Sequence, residues 1–143
     1  MNIFTAMQIS SSGLKAQRTR LNVISANMAN METTQTPEGG PYRKQDVFFE
    51  AVKTATERDS GVRGEKGVRE VGVYDVAPNP RPFRMVRDPE HPDADENGIV
   101  LMPNVNPMEE MVDMMSATRA YEANVTAVKA AKRMALKALE IGR

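Results

Sequence analysis

The chain has 143 residues, with 19 Lys and Arg against 19 Asp and Glu, one histidine, no cysteine and no tryptophan. That length holds one domain of modest core, or a small domain with long arms, and balanced charge gives no bulk attraction to nucleic acid or acidic lipid. Without cysteine there are no disulfides, thiol nucleophiles or thiolate-bound metals, and the single His91 excludes any site built on two imidazoles. Composition thus disfavours most catalysis and points toward assembly.

Residues 1–36 contain no proline, and their apolar residues recur at helical spacing. Met7, Leu14, Leu21 and Met28 are each seven apart, with Ile3, Ser10, Gln17, Ile24 and Met31 between them. The pattern predicts a helix with one seam whose second row is polar at Ser10 and Gln17. Ser10–Gly13 has weak helix propensity, so a bend or fray is expected there. The segment lacks the basic start and apolar stretch of a secretory signal peptide. No run approaches the roughly 20 apolar residues a bilayer span requires. Taken alone, this reads as a cytoplasmic chain, although an uncleaved N-terminus can also be read by a dedicated export route.

Residues 37–106 are of a different kind. All nine prolines lie between Pro37 and Pro107, and seven of the nine glycines lie between Gly39 and Gly98. Asp46–Val52, Val68–Val76, Arg81–Val86 and Ile99–Met102 are short β-branched or aromatic runs and predict strands. The intervening Thr36–Pro41, Ala77–Pro82 and Asp88–Gly98 read as turns, and Lys53–Gly67 as an exposed mobile loop.

Residues 107–143 give the stronger helical signal. Met111, Met114, Thr118, Tyr121, Val125, Val128, Lys132, Ala135 and Leu139 alternate spacings of three and four. Asn106 can cap, Pro107 suits the first helical position, and Glu109 sits where a capping-box acid belongs. Acids open the helix and Lys129, Lys132, Arg133 and Lys137 close it, complementing its dipole. Gly142 is a plausible stop. At 1.5 Å per residue such a helix is a rod of about 50 Å. The expected fold class is therefore α+β: long terminal helices forming a coiled-coil-like layer around a small β-rich insert, divided as 1–36, 37–106 and 107–143.

Asp93, Asp95, Asn97 and Gly98 match the opening of an EF-hand calcium loop, but Asn104 stands where the bidentate Glu belongs, and no helices are expected to flank the loop. A tight acidic turn entering a strand accounts for the same residues. His91, between Glu90 and Pro92, reads as a turn histidine. No phosphate-binding glycine loop, nucleophile elbow or triad is present. No catalytic residue, cofactor or metal is therefore expected. The methionines at helical spacing read as packing surface that needs neighbouring subunits to cover it.

Three segments together resemble the flagellar axial proteins, the family of rod and hook subunits, and within it the proximal rod type. Ser11–Asn30 is similar to the N-terminal rod signature, with Asn22, Asn27, Ala29 and Asn30 in place and Met28 where leucine is usual. Tyr74–Asn106, with Pro92–Gly98 and Pro103–Val105, resembles the stretch that sets this rod type apart. Glu109–Leu139 is similar to the C-terminal axial signature at Ser116, Arg119, Tyr121, Glu122, Ala123 and Asn124.

The resemblance implies a structural subunit of the basal-body rod, exported unfolded by the flagellar type III apparatus and assembled helically into the shaft that carries torque. Expected partners are copies of the chain and other rod proteins, with no nucleic acid and no membrane insertion, in a rod crossing the periplasm. The residues expected to form assembly contacts are Leu14, Leu21, Asn22, Asn27, Met28 and Asn30 on the first helix. On the second they are Met111, Met114, Tyr121, Asn124, Val125, Val128 and Leu139.

Overall fold

Freedom from proline at both ends of the chain is matched by two long helices. The computed structural model describes residues 3–53 and 68–141. Helix α1 spans Ile3–Ala29 and helix α2 spans Pro107–Ile141, 27 and 35 residues. Between them lie strands β1 (Gln45–Lys53), β2 (Arg69–Pro78), β3 (Arg84–Arg87) and β4 (Ile99–Met102). The α+β expectation holds, and each predicted strand has a counterpart. The expected mobile loop, apart from its first residue, and the expected stop at Gly142 lie outside the described residues.

α1 runs unbroken through Ser10–Gly13, contrary to the expected bend. The weak propensity there is overridden by packing: Gly13 is buried, and the Ser12 hydroxyl donates to Ile9 O at 2.7 Å while accepting from the Val71 amide at 3.0 Å. The helix ends where the Asn30 side chain and amide both turn back to Ala26 O. α2 starts as expected, with Asn106 Oδ1 accepting the Met108 amide at 3.0 Å. Glu109 makes no capping box; its carboxylate instead accepts from Arg81 at 3.0 Å.

β1 and β2 pair antiparallel with a bulge beside Phe48 and Phe49 that leaves Tyr74 unmatched and 72% exposed. This hairpin lies along α1. β3 and β4 form a second two-stranded sheet in full register from Arg84–Met102 to Arg87–Ile99. The third strand starts at Arg84 rather than Arg81, because Arg81 O is bound by Arg43 and Asn104.

The helices are antiparallel, joined at Asn27–Glu110, at Arg20–Asp113 and where Gly13 meets Asn124. Their contact centres on Gly13, Ala16, Ile24 and Asn27 against Glu110, Ala117 and Ala131. Glu110, Ala117, Asn124 and Ala131 are seven apart, one position before the expected Met111–Thr118–Val125–Lys132 row. Within the chain the seam is therefore made of small and polar residues. These let two backbones approach closely, and the bulky residues are displaced to its flanks.

Candidate assembly site

The most completely buried side chains at the base of the helix pair are polar. Asn27 and Glu110 are each 1% exposed, and Lys44 is buried beside them. Asn27 Nδ2 donates to Gln45 O at 2.9 Å and to Glu110 Oε2 at 3.1 Å. Its Oδ1 accepts from the Gln45 amide at 2.9 Å and the Tyr42 hydroxyl at 3.0 Å. The Lys44 ammonium faces Glu110 Oε1 in an ionic contact, with no donor aligned on that oxygen as a directed hydrogen bond. One asparagine amide thus ties α1, the chain entering β1, and α2 into a single node, with all its donors and acceptors placed. Burial raises the Tyr42 phenol above its ordinary value, and the nearby Glu110 charge raises it further.

A second polar layer fixes the insert to this node. Asn104 accepts the Lys44 amide at 2.8 Å and donates to Arg81 O at 3.0 Å. Asn79 donates to Asp46 at 2.6 Å, and Arg43 stacks over the Phe83 ring at 4.3 Å. These contacts set the insert at a fixed angle to the base of the helices.

Away from the base, the helices leave apolar surface free. Met108, Met111, Val112 and Met115, spaced by three and four, form an exposed stripe on the first two turns of α2. Met134, Leu136, Leu139 and Ile141 are exposed at its other end, Ile141 at 87%. Phe48, Phe49, Val73 and Val76 are exposed on the first hairpin. Such extent of uncovered apolar surface on a chain this size marks contact surface.

The residues expected from sequence divide among these environments. Asn27 lies in the buried node, and Asn124 packs on Gly13 with its amide tied to Ala120 O at 2.8 Å. Leu14, Leu21, Met28, Met114, Tyr121, Val125 and Val128 are half-buried beside the seam. Met111 and Leu139 stand outside the intramolecular seam on the exposed side of α2, one position past its centre. Asn22 is exposed, and Asn30 serves the end of α1. Sequence reasoning missed Glu110, Tyr42, Lys44 and Asn104 as node residues, and Gly13 and Ala16 as the close approach. The seven-residue row of small and polar side chains was the available signal.

The acidic turn is occupied by its own fold. Asp95 Oδ1 accepts the Asn97 and Ile99 amides at 2.9 and 2.8 Å, and Asp93 accepts the Thr34 hydroxyl at 2.6 Å. Gly98 takes φ 70°, the left-handed conformation such a turn demands. His91 Nδ1 accepts the Asp93 amide at 3.1 Å. Among the described residues no three acidic or histidine groups converge as metal ligands, and no helix is long and apolar enough to cross a membrane.

Comparison with known proteins gives one consistent result. Residues 7–35 match the family model described as flagella basal body rod protein, and residues 96–141 match that of the flagellar basal body rod FlgEFG protein C-terminal region. The chain is 42% identical to the flagellar basal-body rod protein FlgC of Borreliella burgdorferi, over 99% of this chain and 98% of that one. It is 42% identical to FlgC of Bacillus subtilis over the whole of both chains, and 38% identical to FlgC of Salmonella typhimurium over 100% of this chain and 98% of that one. The two matched regions cover nearly all of both helices, with Asn27 and Glu110 of the polar node, and the full-length relatives carry the insert as well: the chain belongs to the FlgC family of flagellar basal-body rod proteins.

Proposed function

We infer that this chain works as a structural subunit of the bacterial flagellar basal body, assembled into the rod with copies of itself and other rod proteins. It is not an enzyme; its relatives are structural rod proteins. Placement in the proximal rod, export by the flagellar type III apparatus on an uncleaved N-terminus, residence in the periplasm and transmission of torque make up the finer reading. The division 1–36, 37–106 and 107–143 into axial helix, outer insert and axial helix belongs to it too. The observation that carries the reading is the exposed stripe Met108, Met111, Val112 and Met115 on a helix whose opposite side is already committed within the chain. A stiff base and free helical surface suit a subunit that completes its folding on docking. Leu14, Leu21, Met28, Met111, Met114, Tyr121, Val125, Val128 and Leu139 supply the apolar contacts in this reading.

The test is incorporation. Met111→Glu with Met115→Glu lies on exposed surface, so the monomer is expected to keep its circular dichroism while disappearing from purified basal bodies and leaving cells non-motile. Leu21→Asp or Val125→Asp should abolish motility as well, through residues that are half-buried in the chain itself. Normal swimming by the Met111/Met115 variant would remove the stripe from the assembly surface.

A further inference from the structure

The two ends of the molecule carry opposite charge beside exposed apolar surface. At the far end of α2, Ala130, Met134, Ala138 and Ile141 form an open apolar face of the helix flanked by Arg133 and Lys137. Lys129 and Lys132 stand beside it, and Glu140 is the one acid after Glu122. None of these four cations has an ion-pair partner among the described residues. At the insert, Met85, Ile99 and Leu101 line a groove bordered by Asp93 and Asp95. Asp88, Glu90 and Glu96 belong to the same acidic turn, and from Asp88 to Thr118 the chain has no Lys or Arg. Alternation along the strand puts Arg84 on the other face of β3 from Met85 and leaves Arg87, opposite Ile99, as the one cation of this sheet on the Met85 face.

The two surfaces cannot meet within one chain. Met134 lies 27 residues beyond Pro107, about 40 Å along the helix. The β3–β4 sheet sits at the start of α2 and does not pack along its shaft. Charge complementarity between opposite ends of a stiff body is satisfied only by another molecule, and head to tail.

We propose that the basic apolar helix face at the C-terminal end of α2 is a docking surface for a second copy of this chain, seated in the acidic Met85–Leu101 groove of that copy's insert. This deepens the rod-subunit reading and rests on it. The contact is heterologous, since the two surfaces differ, so it propagates as an open strand rather than closing as a dimer. Apolar side chains supply the contact area, and the charges fix its register and reject the reversed pairing.

The chain has no cysteine, so in a chain carrying Met85→Cys and Met134→Cys every disulfide between copies runs through these two positions. A disulfide forms only when the two Cα atoms come within about 7 Å. Oxidation of basal bodies holding that chain should give a ladder of cross-linked copies, whereas either single variant should give none. If the chain enters the rod and no ladder forms, or if Met134→Cys links to a different rod protein's cysteine but never to Met85→Cys, the inference falls while the rod-subunit reading stands. If the double variant fails to enter, oxidation of the concentrated purified chain reads the same contact, and a missing ladder there overturns it. Charge exchange adds a second readout. Arg133→Glu with Lys137→Glu should weaken self-association about tenfold or more, and Glu90→Lys with Glu96→Lys in the same chain should restore it. Failure of the exchange to restore association also overturns the proposal. Absence of the unmodified chain from the rod would instead remove the reading beneath it.

Discussion

Glu110 is a carboxylate taken almost wholly out of water, and its cost is met by Lys44 and Asn27 together. Breaking such a pair from one side leaves a buried charge unpaired, which typically costs about 3–5 kcal/mol. Lys44→Met is therefore expected to lower unfolding free energy by about that amount. The double variant Lys44→Met with Glu110→Leu should recover most of it, because neither charge remains to be desolvated; urea titration of the three chains checks this. Tyr42 adds a pH dependence of definite sign. Its pKa is 10.0 when unfolded and higher when folded, because burial and the Glu110 charge oppose the phenolate. The stability it supplies is complete below about pH 10 and is lost as pH rises through the folded value. Tyr42→Phe should flatten the alkaline fall in stability between about pH 9 and 12, at a cost at neutral pH of about 1 kcal/mol for the lost hydrogen bond.

At the scale of the elements, the seam between α1 and α2 is governed by close approach. A Cβ added at Gly13 would sit 3.0 Å from Asn124 Oδ1, and the Asn124 amide is held by Ala120 O. Gly13→Ala gains helix propensity of about 0.5–1 kcal/mol but presses on the Asn124 amide against its bond to Ala120, a strain of about 1–3 kcal/mol. Net destabilisation is expected, and it should shrink when Asn124→Ala makes room, giving a coupling of about 0.5 kcal/mol or more in a double-mutant cycle. Gln17 is the opposite case: its Oε1 is buried in the seam with no donor on it. Gln17→Leu should raise stability by about 1 kcal/mol, measured by thermal melting.

These residues also show what sequence periodicity conveys. The helices, the cap at Asn106 and the strand Ile99–Met102 follow from propensity and spacing, which are local. The seam was displaced by one position because hydrophobicity marks Met111 and Val125, while the backbones meet where side chains are smallest, at Gly13, Ala16 and Ala117. The node was invisible to periodicity for another reason. Glu110 satisfies the helix dipole equally well when exposed, and only the return of Lys44 and Asn27 in three dimensions makes it a buried ion. Asn27 and Asn124 entered through family resemblance alone.

For the whole molecule, order is concentrated at one end. Node, insert and helix start are interlocked at the base, whereas α2 beyond Ala131 has an exposed face almost all round. Amides over 133–141 should therefore exchange with solvent deuterium well before those over 110–124 in the free chain. Incorporation into the rod should slow the first group much more than the second, a difference that hydrogen-exchange mass spectrometry measures.

The node has a further consequence, in time rather than space. Asn27 and Glu110 are 83 residues apart in the chain. Any process that delivers the polypeptide from its N-terminus, whether a ribosome or a channel, presents α1 and both sheets before residue 110 arrives. Until then Asn27 and Lys44 lack their acidic partner, and α1 has nothing along most of its inner side. A fragment ending at Asn106 should accordingly stay unfolded at temperatures where the whole chain is native. Closure of the fold is thus a signal that the last quarter of the chain has been delivered.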